Sequence, residues 1–336
     1  MPRPLVSVVM PVYNAQAYVG AAVRSIVAQS FQDFEFLIFD DGSTDRSSAI
    51  LEHWASRDGR LRLFREGHRG YVPWLNEGIT RAQGRYLARM DADDLALPQR
   101  FARQVAYLES QRACVAVGSD CLLIDPQGWP LRRLEQPRTH EEIDARHLRG
   151  QGGGLAHPSV MLRTEAARQI GGYRVDYQYS EDMDLWLRLA EVGRLMNLPE
   201  VLLKYRQHFQ SVSHLRRQRQ LELIGFIVRD ACRRRGLPPP RPEDLPTPIE
   251  VAALDLQQYW AEVAAGAGHA TTARKHFWQV LGQRPRAGHL WLQLLDTTLP
   301  PLGTHLRRLW HCLRPWVRHD VTTDNQATQI PQRRAA

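Results

Sequence analysis

The sequence predicts an α/β protein built on a wound parallel sheet and followed by a helical tail. Three observations carry this. Over the first 214 residues, short apolar runs alternate with stretches of helical periodicity. Acidic clusters close two of those runs, and after residue 214 the chain turns Arg-rich and helical. Alternating strands and helices mark a wound parallel sheet. Ligands in such sheets bind beyond the carboxyl ends of the strands.

The elements follow in order. Residues 5–10 form a Val-rich apolar run ended by Pro11, Tyr13 and Asn14, the pattern of a strand buried on both faces. Residues 15–29 read as a helix with Val19, Val23, Ile26 and Val27 on one side. A second buried strand, 34–39, runs into Asp40-Asp41-Gly42-Ser43-Thr44-Asp45. A helix at 46–56, a strand at 61–64 and a helix at 74–82 come next. The strand at 86–90 ends in Asp91-Ala92-Asp93-Asp94. A helix at 98–110 has Pro98 in its first turn. The strand at 115–124 turns at Asp125-Pro126-Gln127-Gly128, and 150–154 is a Gly-rich flexible loop. A strand at 157–162, a helix at 181–191 capped by Ser180, and a strand at 201–205 complete a first domain, 1–214.

Residues 215–336 read as an Arg-rich, mainly helical region with a flexible end. It holds a helix at 215–235, a Pro-rich linker at 238–248 and helical sequence over 254–295. The stretch 268–285 loosely resembles one tetratricopeptide-type helix pair. The chain of 336 residues carries a net charge of +8, and the tail's 18 basic against 10 acidic residues account for all of it. Such a tail suits an anionic surface, and equally an ordinary solvated face. Residues 290–316 mix Leu and Trp with Arg307, Arg308 and Arg314, which suits an anionic membrane surface, although Pro300 and Pro301 break any long helix. No apolar run reaches the roughly 18–20 residues of a spanning helix, and the N-terminus lacks a signal-peptide pattern. The four cysteines form no C-x-x-C pair and suit reduced thiols. The expectation is a cytoplasmic protein with no nucleic-acid partner; for the tail, peripheral contact with the inner face of the cytoplasmic membrane stands beside a helical bundle packed on the first domain.

The acidic clusters suggest chemistry. Residues i and i+2 of a strand point the same way, so Asp91 and Asp93 present two carboxylates together. That suits a hard cation such as Mg²⁺ or Mn²⁺, and also a solvated helix-capping loop. Asp40 and Asp41 are placed to accept from a base N–H or a ribose hydroxyl, or to form a strand-to-helix turn with Asp45 as cap. Asp182, at a helix N-terminus, is placed to act as a general base, although acidic first turns are common in helices. His157 reads as structural. Arg206 and His208 are able to contact diphosphate oxygens, and His208 to ligate a metal; a basic surface loop is the other reading.

Several motifs occur in one order. They are Val6-Ser7-Val8-Val9-Met10-Pro11-Val12-Tyr13-Asn14, Asp40 to Asp45, Asn76-Glu77-Gly78, and Asp91 to Asp94 with Pro98 and Arg100. His157-Pro158-Ser159-Val160-Met161, Glu181-Asp182 with Leu185, and Tyr205-Arg206-Gln207-His208 with Ser211 and Ser213 follow. Together they resemble the family 2 glycosyltransferases over roughly residues 4–213, and not over the tail. The resemblance implies the GT-A fold, a Rossmann-like sheet with helices on both faces. It implies inverting transfer of a sugar from a nucleoside diphosphate sugar to a hydroxyl of a glycan or glycolipid acceptor, as in surface polysaccharide synthesis. In that scheme Pro11 and Tyr13 flank the nucleoside, with Asp41 at the base and Asp40 close by. Asp93 holds Mg²⁺ or Mn²⁺, supported by Asp91 and joined by His208. Asp182 is the base, and Arg206 and His208 close over the diphosphate. His68-Arg69-Gly70 and Pro73-Trp74 depart from the family pattern, and Trp74 unsettles the donor's identity. A polyprenyl-phosphate glycosyltransferase and a non-catalytic scaffold on a transferase fold are the rival readings. A nucleotidyltransferase would carry a Gly-rich basic phosphate loop after the first strand, and residues 11–17 are not one.

Overall fold

The computed structural model describes residues 3–209, 216–241, 245 and 256–298. The chain forms two compact units, Met1–Ala252 and Ala253–Ala336.

The first unit is built on one sheet. Its strands are β1 (Val6–Val12), β2 (Phe34–Asp40), β3 (Leu61–Arg65), β4 (Tyr86–Arg89), β5 (Leu95–Ala96), β6 (Cys114–Ile124), β7 (Pro130–Leu134), β8 (Met161–Arg163) and β9 (Arg194–Arg206). Its helices are α1 (Val19–Val27), α2 (Ser47–Ala55), α3 (Tyr71–Arg81), α4 (Arg100–Ser110), α5 (His140–Leu148), α6 (Thr164–Gln169), α7 (Glu181–Leu189) and α8 (Arg217–Arg234). The strand order is β3-β2-β1-β4-β8-β6-β9-β5, with β7 on β6. The sheet is mixed rather than wholly parallel. β1 to β4 run parallel, but β8 is antiparallel to both β4 and β6. An apolar run records burial on both faces, not the direction of its neighbours.

Strand residues alternate between two cores. Val8 and Met10 of β1 pack with Val23, Ile26, Leu51 and Phe101 on one face. Val9 packs with Leu37, Trp74, Leu75 and Trp186 on the other. Helices therefore cover both faces. Gly78 sits where α3 crosses β1, and a Cβ there would fall on the Val9 side chain. Gly78→Ala is therefore expected to lower stability by about 1–3 kcal/mol, despite Ala's better helix propensity. Urea denaturation followed by circular dichroism checks this, and a variant as stable as the wild type contradicts it.

Some expected elements shift. His157–Ser159 is a 3-10 turn, not strand; Pro158 has no N–H for a ladder, and the Ser159 N–H returns to the Ala156 carbonyl at 2.8 Å. Ser180 precedes α7 without capping it, and its hydroxyl donates instead to the Gln220 carbonyl at 3.3 Å. Pro98 lies just before α4. Helix α5 opens with a capping box: the Glu142 N–H donates to the Thr139 hydroxyl while the Thr139 N–H donates to the Glu142 carboxylate.

The first unit continues past residue 214 because α8 packs on α7. Leu223, Ile224, Ile227, Val228 and Ala231 bury against Met183 and Leu187. Arg235 pairs with Asp144 at 2.7 Å, Arg174 with Asp230 at 2.7 Å, and Arg234 with Glu191 at 2.8 Å.

The second unit contains α9 (Leu256–Gly266), α10 (Ala270–Gln283) and α11 (Gly288–Thr298). Gly268, at φ +81°, makes the turn that divides the helical stretch expected over 254–295. Trp260, Ala264, Phe277, Val280 and Leu290 are buried. Among the described residues no helix is long and apolar enough to cross a membrane. Most of the expected linker, Ser211, Ser213, and the tail from 299 onward with Pro300, Arg307 and Cys312 lie outside the described residues.

Candidate active site

The carboxyl ends of β1 and β4 open on a cleft with a cavity of about 460 Å³. Asp91, Asp93 and Asp94 follow β4, and each offers a carboxylate oxygen within 4.8 Å of the others. Arg89, buried at the end of β4, donates to Asp91 Oδ1 at 2.6 Å. Asp93 Oδ2 lies 2.8 Å from His208 Nε2. Asp94 is fully buried. Its Oδ1 accepts from the Arg206 N–H at 2.8 Å, and its Oδ2 has no partner among the described residues. Burial pushes the Asp94 carboxyl well above the usual range, and the charge of Asp93 adds to this. Burial also raises Asp91, against the pull of Arg89. Crowded carboxylates of this kind, one with an orphaned buried oxygen, fit a hard divalent cation.

Arg206 ends β9 and braces this site. Its guanidinium donates to the Asp93 carbonyl at 2.7 Å and to the Asp125 and Pro126 carbonyls at 3.1 and 2.9 Å. It lies 4.7 Å from the centre of the Tyr18 ring, on which His208 also stacks at 5.3 Å.

Asp182 lines the same cleft from the start of α7. Burial raises its carboxyl above the ordinary range. Below it runs a buried polar chain. The Tyr71 hydroxyl donates to Glu181 Oε2 at 2.9 Å. His157 Nδ1 lies 4.0 Å from Glu181 Oε1, and its Nε2 meets the Tyr173 hydroxyl at 2.7 Å. Asn76 fixes Tyr173 by bonding its N–H and carbonyl at 2.8 and 2.9 Å. Burial holds His157 well below the usual imidazole range, so it is neutral framework. Tyr179, just before this segment, has φ +83°, a strained value for a residue other than glycine. Its N–H donates to the Tyr71 hydroxyl at 3.0 Å, and its carbonyl accepts from Gln220 Nε2 of α8 at 2.7 Å.

Burial, then the charge of Asp182, pushes Glu181 up from 4.5 to about 8. A carboxyl raised by folding stabilises the protein below its unfolded value and loses that contribution as pH rises through its folded value. Wild-type stability should therefore fall between about pH 5 and pH 9, and Glu181→Gln should flatten that fall. At about pH 9 the variant is expected to be more stable by about 1–3 kcal/mol. Thermal denaturation across this range decides it; parallel curves for the two proteins contradict it.

Pro11, near the end of β1, and Tyr13, just after the strand, line the cleft. Tyr13 is 48% exposed, with its ring 4.3 Å from that of His68. The structure does not bring Asp40 and Asp41 to the lining. Asp41 is buried, and its carboxylate accepts from the Arg69 N–H at 2.8 Å, the Gly70 N–H at 3.1 Å and the Trp74 indole at 2.8 Å. Asp40 accepts from the Ser43 N–H at 3.0 Å and from the Ser48 hydroxyl. Both hold loops. Trp74 is 1% exposed, with its ring tilted against that of Phe39 at 5.1 Å, so it packs inside the loop.

Arg89, Tyr18 and Tyr71 do not figure in the sequence reading, and Asp94 figures there only within the Asp91 to Asp94 motif, without a role. One signal was present: a charged Arg89 inside the apolar run Tyr86-Leu87-Ala88-Arg89-Met90 demands a partner.

Residues 7–171 match the family profile described as Glycosyl transferase family 2. The O-antigen biosynthesis glycosyltransferase WbnJ of Escherichia coli is 32% identical over 213 residues, covering 62% of this chain and 81% of WbnJ. Staphylococcus TarS 1–349 (S. aureus), solved in complex with UDP-GlcNAc, aligns with a TM-score of 0.56 at 16% identity, covering 87% of this chain and 88% of that one. The mannosyltransferase PcManGT of Pyrobaculum calidifontis, solved with GDP-Man and Mn²⁺, aligns at 0.52 and 20% identity, covering 92% and 88%. At such low identity these two structures speak for the fold alone, and that fold is the GT-A-like mixed sheet with helices on both faces. The match to four-fifths of WbnJ carries the assignment further: this chain belongs to the family 2 glycosyltransferases.

Proposed function

We propose that this glycosyltransferase moves a sugar from a nucleoside diphosphate sugar to an acceptor hydroxyl with inversion, in one displacement. The observation that carries the reading is that Asp182 lines one cleft together with Asp91 and Asp93, two of the three clustered carboxylates. Asp91, Asp93 and His208 would hold Mg²⁺ or Mn²⁺. When bound, the cation supplies positive charge to the departing diphosphate. Tyr13 offers its exposed face to the base beside Pro11, while Asp40 and Asp41 act through the loops they fix. Arg89 and Arg206 keep Asp91 and the Asp93 backbone in place. Asp182 takes the proton of the acceptor hydroxyl as its oxygen bonds to the anomeric carbon. The anomeric bond to the diphosphate breaks, and the nucleoside diphosphate leaves. The raised Asp182 carboxyl makes a stronger base once ionised.

The likeness to WbnJ supports an acceptor in surface polysaccharide or glycolipid synthesis. The basic tail supports peripheral contact with an anionic membrane on the inner face of the cytoplasmic membrane, which co-sedimentation with anionic vesicles at low salt would test. The direct test of the reaction is a thermal-shift and hydrolysis screen over UDP-, GDP- and dTDP-sugars, with Mn²⁺ and with chelator. A metal-dependent response to one donor is expected. Silence across the panel would favour the scaffold reading.

A further inference from the structure

The connection from β7 to α5 carries a side chain that this mechanism leaves unused. Gln136 is 4% exposed, yet neither Nε2 nor Oε1 of its amide has a hydrogen-bond partner among the described residues. It lines the active-site cleft, and it also lines an adjoining cavity of about 470 Å³ walled by Arg138, Arg146 and Arg149. It therefore stands in the partition between the two.

The backbone around it is fixed from behind. Buried Asp120 accepts from the Gln136 N–H at 3.0 Å and pairs with Arg133 and Arg138, both at 2.6 Å. Asn197 donates to the Pro137 and Gly154 carbonyls, both at 2.8 Å, and so ties this connection to the loop whose Gly153 and Leu155 also line the cleft. Buried polar groups in folded proteins are nearly always paired. A clamped backbone carrying an enclosed, unpaired amide on a residue that lines two cavities is the arrangement of a group held ready for a ligand.

Its place indicates which ligand. Tyr13 follows β1 and the acidic triplet follows β4, whereas Gln136 follows β7, which lies on β6. In the strand order β1-β4-β8-β6, Gln136 is thus on the far side of the acidic triplet from the proposed nucleoside wall. An amide offers N–H donors and a carbonyl acceptor without charge, which complements neighbouring hydroxyls of a neutral sugar.

We propose that Gln136 is the reading residue of an acceptor-sugar subsite that takes a neutral hexose through adjacent hydroxyls. This rests on the transferase reading above. The test uses the full chain with Mn²⁺ and whichever of UDP or GDP shifts its melting. Methyl hexopyranosides, including the N-acetyl forms, are then tested for binding by saturation-transfer NMR and titration. One glycoside is expected to bind, and Gln136→Met to weaken it about tenfold or more. The melting temperature of that variant should hold or rise, because a similar apolar shape replaces an unpaired buried amide. Should Gln136→Met fail to fold, Gln136→Glu keeps the shape, removes the amide donors, and is expected to weaken the same glycoside. Unchanged glycoside affinity in the variant, or no glycoside bound by the wild type, overturns the proposal. Weakened nucleotide-sugar binding with intact glycoside binding overturns it too, placing the amide on the transferred sugar. No Mn²⁺-dependent response to any nucleotide sinks the transferase reading instead.

Discussion

Asp182→Asn is expected to lower the rate of transfer by about a hundred- to ten-thousandfold, the usual contribution of a positioned base. The amide matches the carboxylate in shape, and its carbonyl can still accept from the Met183 N–H, which bonds Asp182 Oδ1 at 2.8 Å. Stability and donor binding should therefore change little. The pH profile gives a second readout. Burial raises the Asp182 carboxyl, so wild-type transfer should climb through a midpoint above the ordinary range for aspartate. The variant's residual rate should lack that climb. Initial rates at saturating donor across pH measure both. A variant that keeps more than about a tenth of wild-type transfer would take Asp182 out of the role of base.

Asp93→Ala is expected to abolish metal-dependent transfer, by about a thousandfold or more, and to remove the melting shift produced by Mn²⁺ with nucleotide. It deletes a carboxylate from the triplet and the bond between Asp93 and His208 Nε2. Without metal, the variant should melt no lower than the metal-free wild type. The reason is mutual repulsion: the charge of Asp93 is one of the influences pushing Asp91 and Asp94 upward. Chelator should bring the wild type down to the variant's rate. A variant that still responds to Mn²⁺ would move the metal away from Asp93.

Much of this was legible because it is local. The strands of 5–10, 34–39 and 86–90 were readable as apolar runs, and the placement of Asp91, Asp93 and Asp182 followed from what those runs and one helix start imply. What escaped was set through space. The direction of β8 depends on the turn at Pro158, and its apolar residues do not report it. Asp41 and Trp74 are 33 residues apart, so nothing near Asp41 showed that its carboxylate was already engaged. Gln136 was invisible for the same reason: its neighbours at Asp120 and Asn197 belong to β6 and β9. The capping box of Thr139 and Glu142, by contrast, is a four-residue signal that the sequence did display.

The seating of α8 on α7 sets a practical limit on dissection. A chain shortened at residue 214 would leave Met183 and Leu187 facing water, an invitation to self-association. It would also remove Gln220 from the Tyr179 carbonyl, freeing a strained residue three positions before Asp182 to relax. Such a fragment should therefore lose turnover out of proportion to any loss of secondary structure. The Arg-rich helix is a working part of the enzyme, and the shortest useful fragment has to include it.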